Sequence, residues 1–361
     1  MPAEWSPHGA TWLAWPHRVR DWPGKFGPIP WVFAEIVRRV SAGETVRLLV
    51  RGEAHGEKVR RLLRRAGVHL APVELYRVPT DRAWVRDSGP VFVVPGAPSA
   101  PPDPSADPGE AHPSGKAIAG FRFNAWAKYP EWRRDAEVPE RAAKALAVPL
   151  HPVVHRGREV VLEGGAIDVN GRGTILATEE CLLDPEVQVR NPGFGRADYE
   201  AVFAGVLGAP NAIWLGKGIA GDDTHGHVDD LARFVGPRTI ALCREPDGSD
   251  ENHRPLEENR ERLESARLED GSRPEVVPLP MPGPVAFDGR RLPASYANFY
   301  VCNAAVLVPT FDDPADRVAL GTLAELFRDR PVIGIHALDL VWGMGTLHCL
   351  SQQEPEAVTA P

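Results

Sequence analysis

The stretch VFAEIVRRVSAGETVRLLVRGEAHGEKVRRLLRRA, residues 32–66, holds the local pattern that decides the fold class. Apolar residues recur at helical spacing from Val32 to Val40 and again from Glu57 to Ala66, and Thr45 to Val50 is a short β-prone run between them. Brief strands separated by helices continue along the chain. Mixtures of this kind predict an α/β or α+β fold.

Three further segments bear on how the chain is organised. The run from Ile167 to Leu176 carries an Asn-Gly pair between apolar residues and predicts a hairpin. The segment from Pro95 to Lys116 is dominated by Pro, Ala, Ser, Gly and Asp, and it predicts a surface insertion that lengthens a hairpin. The polar stretch from Arg244 to Pro274 predicts a solvated helix. We therefore expect residues 1–361 to form one domain.

Composition excludes several classes of protein. The net charge of −8 is spread along 361 residues, which argues against nucleic-acid and anionic-membrane partners and mildly favours a cationic ligand. The four cysteines are widely spaced, so neither a disulfide framework nor a cysteine-built zinc site is expected, and a cytoplasmic location is predicted. The sequence has no secretory leader, no long apolar run and no glycine-rich phosphate loop. We expect neither membrane insertion nor a nucleotide cofactor.

Two acidic residues and one thiol stand in glycine-bounded positions. Asp87 lies in WVRDSGP, where an ordinary turn residue is the alternative interpretation. Glu163 lies in VVLEGGA, an apparently apolar strand, and a buried carboxylate there needs a cation or a histidine as partner. Cys349 lies in GMGTLHCLSQQ. Since neighbours in an extended segment point to opposite faces, His348 is not expected to activate it.

The segment GDDTHGHVDDLARFV, residues 221–235, can be interpreted in two ways. If it enters a strand extended, His225, His227 and Asp229 share one face. That face could hold a metal, or it could aim an imidazole and a carboxylate at an organic substrate. A metal is disfavoured because the segment lacks the further histidine of zinc hydrolases with a Thr-His-x-His-x-Asp-His motif. Carboxylates crowded without a metal require a cationic ligand, and a guanidinium is planar, charged and open to thiolate attack.

Six motifs in this order resemble the agmatine deiminases of the guanidine-modifying superfamily, which is related to bacterial peptidylarginine deiminases. They are MPAEWSPHGATWLAWPH, WVRDSGP, LEGG, DDTHGHVD, SYANFYVCNAAVLVPTF and GTLHCLSQQ, and they span nearly the whole chain. The resemblance implies the pentein fold, an α/β propeller of five divergent ββαβ blades with the site in its central channel. It also implies a homodimer and no metal or cofactor.

The resemblance also assigns roles to particular residues. It implies that Cys349 is the nucleophile and His227 the general acid and base, with Glu163 holding His227. It implies that Asp87 and Asp229 clamp the guanidinium. Trp84 would stack beside the substrate, and Asp223 occupies a further family position near the site. The loop WGMG, residues 342–345, replaces a run of glycines found in many members, so Trp342 and Met344 are expected to narrow the entrance.

The implied reaction converts agmatine and water to N-carbamoylputrescine and ammonia through a covalent thiouronium, a step toward putrescine. Three alternatives remain at this stage. The same catalytic set serves deiminases of free arginine or peptidyl-arginine. A metal-dependent hydrolase would use His225, His227 and Asp229. A non-catalytic binding protein of the same fold is disfavoured because every expected catalytic residue type is present.

Overall fold

The computed structural model of this chain describes residues 1–94 and 115–356. Its helices are Ile29–Val40 (α1), Glu53–Arg65 (α2), Val85–Ser88 (α3), Val138–Leu146 (α4), Glu179–Leu183 (α5), Arg196–Val202 (α6), His253–Ser265 (α7) and Pro314–Leu326 (α8). Its strands are His8–Ala14 (β1), Thr45–Val50 (β2), Val73–Arg77 (β3), Val91–Val93 (β4), Ala117–Gly120 (β5), Leu150–Pro152 (β6), Val154–His155 (β7), Arg158–Glu159 (β8), Asp168–Val169 (β9), Thr174–Thr178 (β10), Asn211–Leu215 (β11), Ala232–Phe234 (β12), Thr239–Arg244 (β13), Glu275–Pro280 (β14), Ala286–Phe287 (β15), Arg290–Arg291 (β16), Tyr300–Cys302 (β17), Ala305–Thr310 (β18), Val332–His336 (β19) and Ser351–Pro355 (β20).

Five sheets repeat one connectivity: an antiparallel strand pair, a helical crossover, and a third strand parallel to the second. Unit I is β4-β5-α4-β6, unit II is β9-β10-α5-α6-β11, unit III is β12-β13-α7-β14, and unit IV is β17-β18-α8-β19. Unit V joins the two ends of the chain as β20-β1-α1-β2, with α2 and β3 appended. The α/β class is confirmed, and the expected ββαβ repeat occurs five times. Two further strand pairs, β7 with β8 and β15 with β16, lie outside the five units.

The predicted elements are found with shifted ends. The run from Thr45 to Val50 is β2, as predicted. Helix α1 begins earlier than Val32, at Ile29, because a proline in its first turn is already set to the helical φ angle. The predicted hairpin is β9 and β10, in which Asn170 Oδ1 accepts the backbone N–H of Thr174 at 3.0 Å. The solvated helix predicted between residues 244 and 274 is α7.

The Pro-rich insertion predicted between Pro95 and Lys116 lies, except for its last two residues, outside the described residues. Strands β4 and β5 flank it and pair antiparallel, as a lengthened hairpin requires. Amphipathic helices cover the sheets, and α1 buries Phe33 and Val37 completely. Each such side chain contributes about 1.5–3 kcal/mol through burial. Within residues 1–94 and 115–356, no helix has the length and apolar character needed to cross a bilayer.

The feature that positions the site is a short helical turn before the first strand of each unit. These turns are Val85–Ser88, Gly164–Ala166, Val228–Asp230, Tyr296–Asn298, and residues 347–350. The backbone N–H of Gly165 donates to Asp87, the Asn298 side chain donates to Asp230, and the Arg86 N–H donates to the Cys349 carbonyl. The turns of units I to V therefore contact one another around a common centre.

Candidate active site

Cys349 lies in the turn before β20 and borders a cavity of about 180 Å³. Its side chain is buried, with 5% of the residue exposed. The thiol donates to Asp229 Oδ2 at 3.6 Å, and Asn298 Nδ2 donates to the sulfur at 3.0 Å. The sulfur is thus buried beside a carboxylate and still borders the cavity.

The surroundings of Cys349 oppose ionisation of the thiol. Burial raises its pKa well above the ordinary value, and the carboxylates of Asp229, Asp230 and Asp87 raise the pKa further. The thiol is therefore protonated at neutral pH when the site holds no cation. A positive charge bound beside Asp87 and Asp229 would reverse this effect, because it favours the thiolate.

His227 is fully buried at the junction of units I, II and III. Its Nδ1 lies 3.8 Å from Asp87 Oδ1 and 3.9 Å from Asp229 Oδ1. Burial lowers the pKa of the imidazole, but Asp87, Cys181 and Asp229 outweigh burial and raise it well above the ordinary value. Neither ring nitrogen has a hydrogen-bond partner. The ring is therefore a protonated group aimed at the space between the two carboxylates.

Glu163 departs from two expectations. It does not lie within a strand, because it precedes the turn Gly164–Ala166 and only Val161 forms an isolated bridge. Its Oε2 lies 4.0 Å from His227 Nε2, too far for a hydrogen bond. Its direct partner is Arg190, whose Nε donates to Oε1 at 3.0 Å. The cation that a buried carboxylate needs is therefore Arg190.

Asp87 and Asp229 come from different units, and both carboxylates lie within 4 Å of His227 Nδ1. Asp87 accepts the indole N–H of Trp126 at 2.9 Å and the backbone N–H of Gly165 at 3.0 Å. Burial raises its pKa to about 6. For Asp229, the effect of burial is outweighed by a hydrogen bond with His348, and its pKa is lowered. Oδ1 of Asp229 has no partner. Two carboxylates with spare acceptor capacity suit a planar cation.

The prediction that His225 shares a face with His227 and Asp229 is wrong. His225 has φ +65°, and Asp229 lies in a 3-10 turn, so the segment is not extended. His225 Nε2 instead pairs with Asp184 Oδ2 at 2.9 Å. The metal set of the alternative hydrolase is therefore not assembled.

Two other groups among the described residues each bring three possible ligand atoms within 4.8 Å of one another. They are Glu163, Cys181 and His227, and Asp229, Asp230 and Cys349. Both groups are buried, and each includes residues that already face the cavity or the junction beside it. Carboxylates prefer hard cations and thiolates prefer soft ones, so neither mixed donor set indicates a particular metal.

Trp84, Asp223, Trp342 and Met344 all line the cavity, as expected for residues around a substrate. The Trp84 ring packs against Trp22 with centroids 5.6 Å apart. Asp223 lies at the outer wall, where Tyr129 donates to it at 2.5 Å and Lys128 pairs with it. Three large side chains and one carboxylate therefore line the cavity that Cys349 borders.

Sequence reasoning missed several residues of the site. Asn298 Oδ1 accepts from Thr346 Oγ1 at 2.8 Å and from the His348 N–H at 3.1 Å, which fixes the turn that carries the thiol. The sequence feature that could have identified Asn298 is a single amide side chain within the largely apolar motif SYANFYVC. Four arginines were also missed. Arg18, Arg20, Arg82 and Arg290 line the outer wall of the cavity.

Five ββαβ units whose turns meet at a thiol, an imidazole and carboxylates define a protein of the pentein class. The chain belongs to the family of Porphyromonas-type peptidyl-arginine deiminases, whose model matches residues 1–355. A putative agmatine deiminase of Selenomonas ruminantium is 35% identical, with 98% of this chain and 95% of that protein aligned. An agmatine deiminase of Stutzerimonas stutzeri is 34% identical over the same shares.

Solved structures show the same likeness. The structure of the agmatine deiminase of Enterococcus faecalis has a TM-score of 0.86 and 27% identity, with 99% of this chain and 96% of that chain covered. A cysteine-to-serine variant of the C. jejuni agmatine deiminase with substrate bound has a TM-score of 0.81 and 27% identity over the same shares.

Proposed function

We propose that this protein hydrolyses agmatine to N-carbamoylputrescine and ammonia. The observation that carries the proposal is that the Cys349 thiol and the Asp87 carboxylate line one cavity, with Asp229 hydrogen-bonded to the thiol and the His227 imidazole within 4 Å of both carboxylates. The full-length likeness to proteins named agmatine deiminase supports the same substrate.

In the proposed reaction, the guanidinium binds between Asp87 and Asp229, its positive charge lowers the pKa of the Cys349 thiol, and the thiol releases its proton to solvent. The thiolate attacks the guanidinium carbon and forms a C–S bond. His227 then gives a proton to one nitrogen, the C–N bond breaks, and ammonia leaves. The sulfur and carbon remain joined as an S-alkylthiouronium.

Water completes the cycle. His227 removes a proton from the water, whose oxygen attacks the thiouronium carbon. The C–S bond breaks, the ureido product leaves, and the sulfur regains its proton. Glu163, held by Arg190, supports the positive charge of His227 across 4.0 Å. Trp84 packs beside the alkyl-guanidinium, and Asp223 faces the distal ammonium. This sequence of steps uses no metal or cofactor.

The proposal is tested by measuring ammonia release from agmatine, L-arginine, a peptide with C-terminal arginine and a peptide with internal arginine. We expect turnover of agmatine, and we expect its loss in Cys349→Ser with an unchanged circular dichroism spectrum. Cys302→Ala removes a buried thiol from β17 and is the matched control that keeps turnover. Turnover by the Cys349→Ser variant, or no release from agmatine by the native protein, would refute the proposal.

The outer wall of the cavity supports a second candidate, deimination of a guanidine that carries a carboxylate. Arg18 and Arg82 are held by Asp21, whereas Arg20 and Arg290 are exposed at the same wall. Guanidinium groups bind carboxylates. If L-arginine or the C-terminal-arginine peptide is the better substrate, Arg20→Ala with Arg290→Ala should lower its kcat/KM and leave agmatine turnover unchanged.

We also propose that residues 1–361 form one domain, that the protein is a homodimer, and that it works in the cytoplasm. The ring of contacts among the five turns supports the first point. Resemblance to the family supports the other two. Light scattering of the purified protein and fractionation of the cells that produce it would test these points.

A further inference from the structure

The carboxylate of Asp229 is held by a histidine that is itself held by a second carboxylate. Nδ1 of His348 lies 2.6 Å from Asp229 Oδ2, and Nε2 of the same ring lies 2.8 Å from Glu4 Oε2. All three side chains are buried. Glu4 comes from the N-terminal segment, Asp229 from the turn before unit III, and His348 from the turn before β20.

Both carboxylates at the ends of this link carry a charge. Burial raises the pKa of Glu4, but Arg233, His348 and Arg86 outweigh burial and hold that pKa well below the ordinary value. The pKa of Asp229 is lowered as well. The His348 ring therefore joins two ionised carboxylates that lie far apart along the chain.

The charges around this ring agree with that conclusion. Glu4 also accepts from Arg86 Nη2 at 3.0 Å, pairs with Arg233 Nη2 at 3.0 Å, and accepts the backbone N–H of Val301. Arg233 in turn donates to Asp168 at 3.1 Å. The buried cluster therefore contains three carboxylates, Glu4, Asp168 and Asp229, and two guanidiniums.

We propose that His348 is a positioning residue that holds the Asp229 carboxylate aimed at the substrate's guanidinium and is itself fixed by Glu4. The catalytic readout of this inference rests on the proposed function. The arrangement also gives the N-terminal segment a role, because Glu4 reaches the active site through His348.

The kinetic test compares His348→Gln and Glu4→Gln with the native protein. In both variants Asp229 loses its fixed orientation, so kcat/KM should fall about 10- to 100-fold, mostly through a higher KM. Glu354→Gln is the matched control, because Glu354 is another buried carboxylate paired with two cations, Arg47 and Lys116, and lies outside this cluster. It should keep its kcat/KM. An equal loss in all three variants would mean a general structural effect and would overturn the inference.

The orientation of Asp229 is tested without substrate, by the rate at which a haloacetamidine, a positively charged alkylating reagent, labels Cys349. We expect His348→Gln and Glu4→Gln to slow this labelling about tenfold or more, because the cation is no longer held beside the thiol. Glu354→Gln should label at the native rate. A native labelling rate in His348→Gln would overturn the inference. Because this measurement uses no substrate, it stands whether or not agmatine is turned over.

Discussion

The environment of Cys349 makes its reactivity depend on the charge of whatever enters the cavity. The thiol is buried beside three carboxylates, and these raise its pKa, so the free protein holds it protonated. A cation is needed to make the thiolate. The residue therefore distinguishes cationic from neutral electrophiles before any step of bond formation.

This leads to a prediction for alkylation of Cys349. Iodoacetamide, which is neutral, should react slowly at pH 7 and about tenfold faster for each unit of rising pH, as the thiolate fraction increases. A haloacetamidine carries a positive charge, so it should react much faster at pH 7 and show a weaker pH dependence. Mass spectrometry of the labelled peptide measures both rates. Equal rates for the two reagents at pH 7 would contradict the charge argument.

Asp87 provides a second prediction at the scale of one residue. Its pKa is raised to about 6, so it takes up a proton at a pH where an ordinary aspartate is still ionised. A protonated Asp87 cannot pair with the guanidinium, and kcat/KM should therefore fall as the pH drops below about 6. Steady-state kinetics of the native protein and of Asp87→Asn measure this effect. Asp87→Asn should have a low kcat/KM that no longer falls as the pH drops below about 6. If kcat/KM of the variant still falls in that range, the titrating group is not Asp87.

Among the elements, helix α4 is followed by an alanine in a backbone conformation that favours glycine. Ala147 follows the helix with φ 52° and ψ 43°, in the left-handed region where glycine is favoured. A residue other than glycine is destabilised by about 1–2 kcal/mol in this conformation. Replacing it by glycine removes that strain, although the greater freedom of glycine in the unfolded chain offsets part of the gain in stability. Ala147→Gly should stabilise the protein by about 1 kcal/mol in urea unfolding. Ala145→Gly, inside the same helix, should destabilise it by about 1 kcal/mol.

The turn around Val341–Gly343 contributes Trp342 and Met344 to the cavity wall, and we expect it to set the width of the entrance. Met344 has φ +74° and lines the cavity with Trp342, whose indole N–H is fixed by the Pro23 carbonyl at 2.9 Å. A methionine held in this conformation blocks space that glycine would leave open. Met344→Gly should therefore raise kcat/KM for bulky guanidines such as arginine peptides relative to agmatine. Met344→Leu retains the bulk and is the control; equal specificity in both variants would exclude Met344 as the constriction.

At the scale of the whole molecule, the site forms where the short turns of the five units pack against one another. Gly165 shows how closely they approach. A Cβ at this position would lie 2.5 Å from His227 Nδ1, 2.9 Å from Asp87 Oδ1 and 3.1 Å from Asp229 Oδ2. The second unit thus comes into contact with groups of the first and third units through a residue that has no side chain.

Gly165→Ala should accordingly displace His227 and the two carboxylates, and kcat/KM should fall by at least about 100-fold. Gly321→Ala is the matched control, because Gly321 lies within α8 with open space around it, and alanine should stabilise that helix by about 0.5–1 kcal/mol. Steady-state kinetics and thermal unfolding distinguish the two. Native activity in Gly165→Ala would show that the units do not meet as closely as the structure has them.

The sequence by itself determined the α/β class and most of the elements. The run from Thr45 to Val50, the hairpin around Asn170 and the amphipathic helices are specified by neighbours a few residues away. The chemical inventory was equally accessible, because Cys349, Asp87 and Trp84 stand in motifs that can be read along the chain. Local periodicity and turn chemistry act over short distances, so a linear pattern is enough to predict them.

Only the tertiary structure decided which groups face one another. Arg190 is bonded to Glu163 across 27 residues, Asp229 to His348 across 119, and Glu4 to His348 across 344. His225 matched the local pattern, yet a positive φ angle turned it toward Asp184. The physical reason is that a buried charge must be balanced by whatever the packing of distant units brings within about 3 Å. That balance depends on all five units at once.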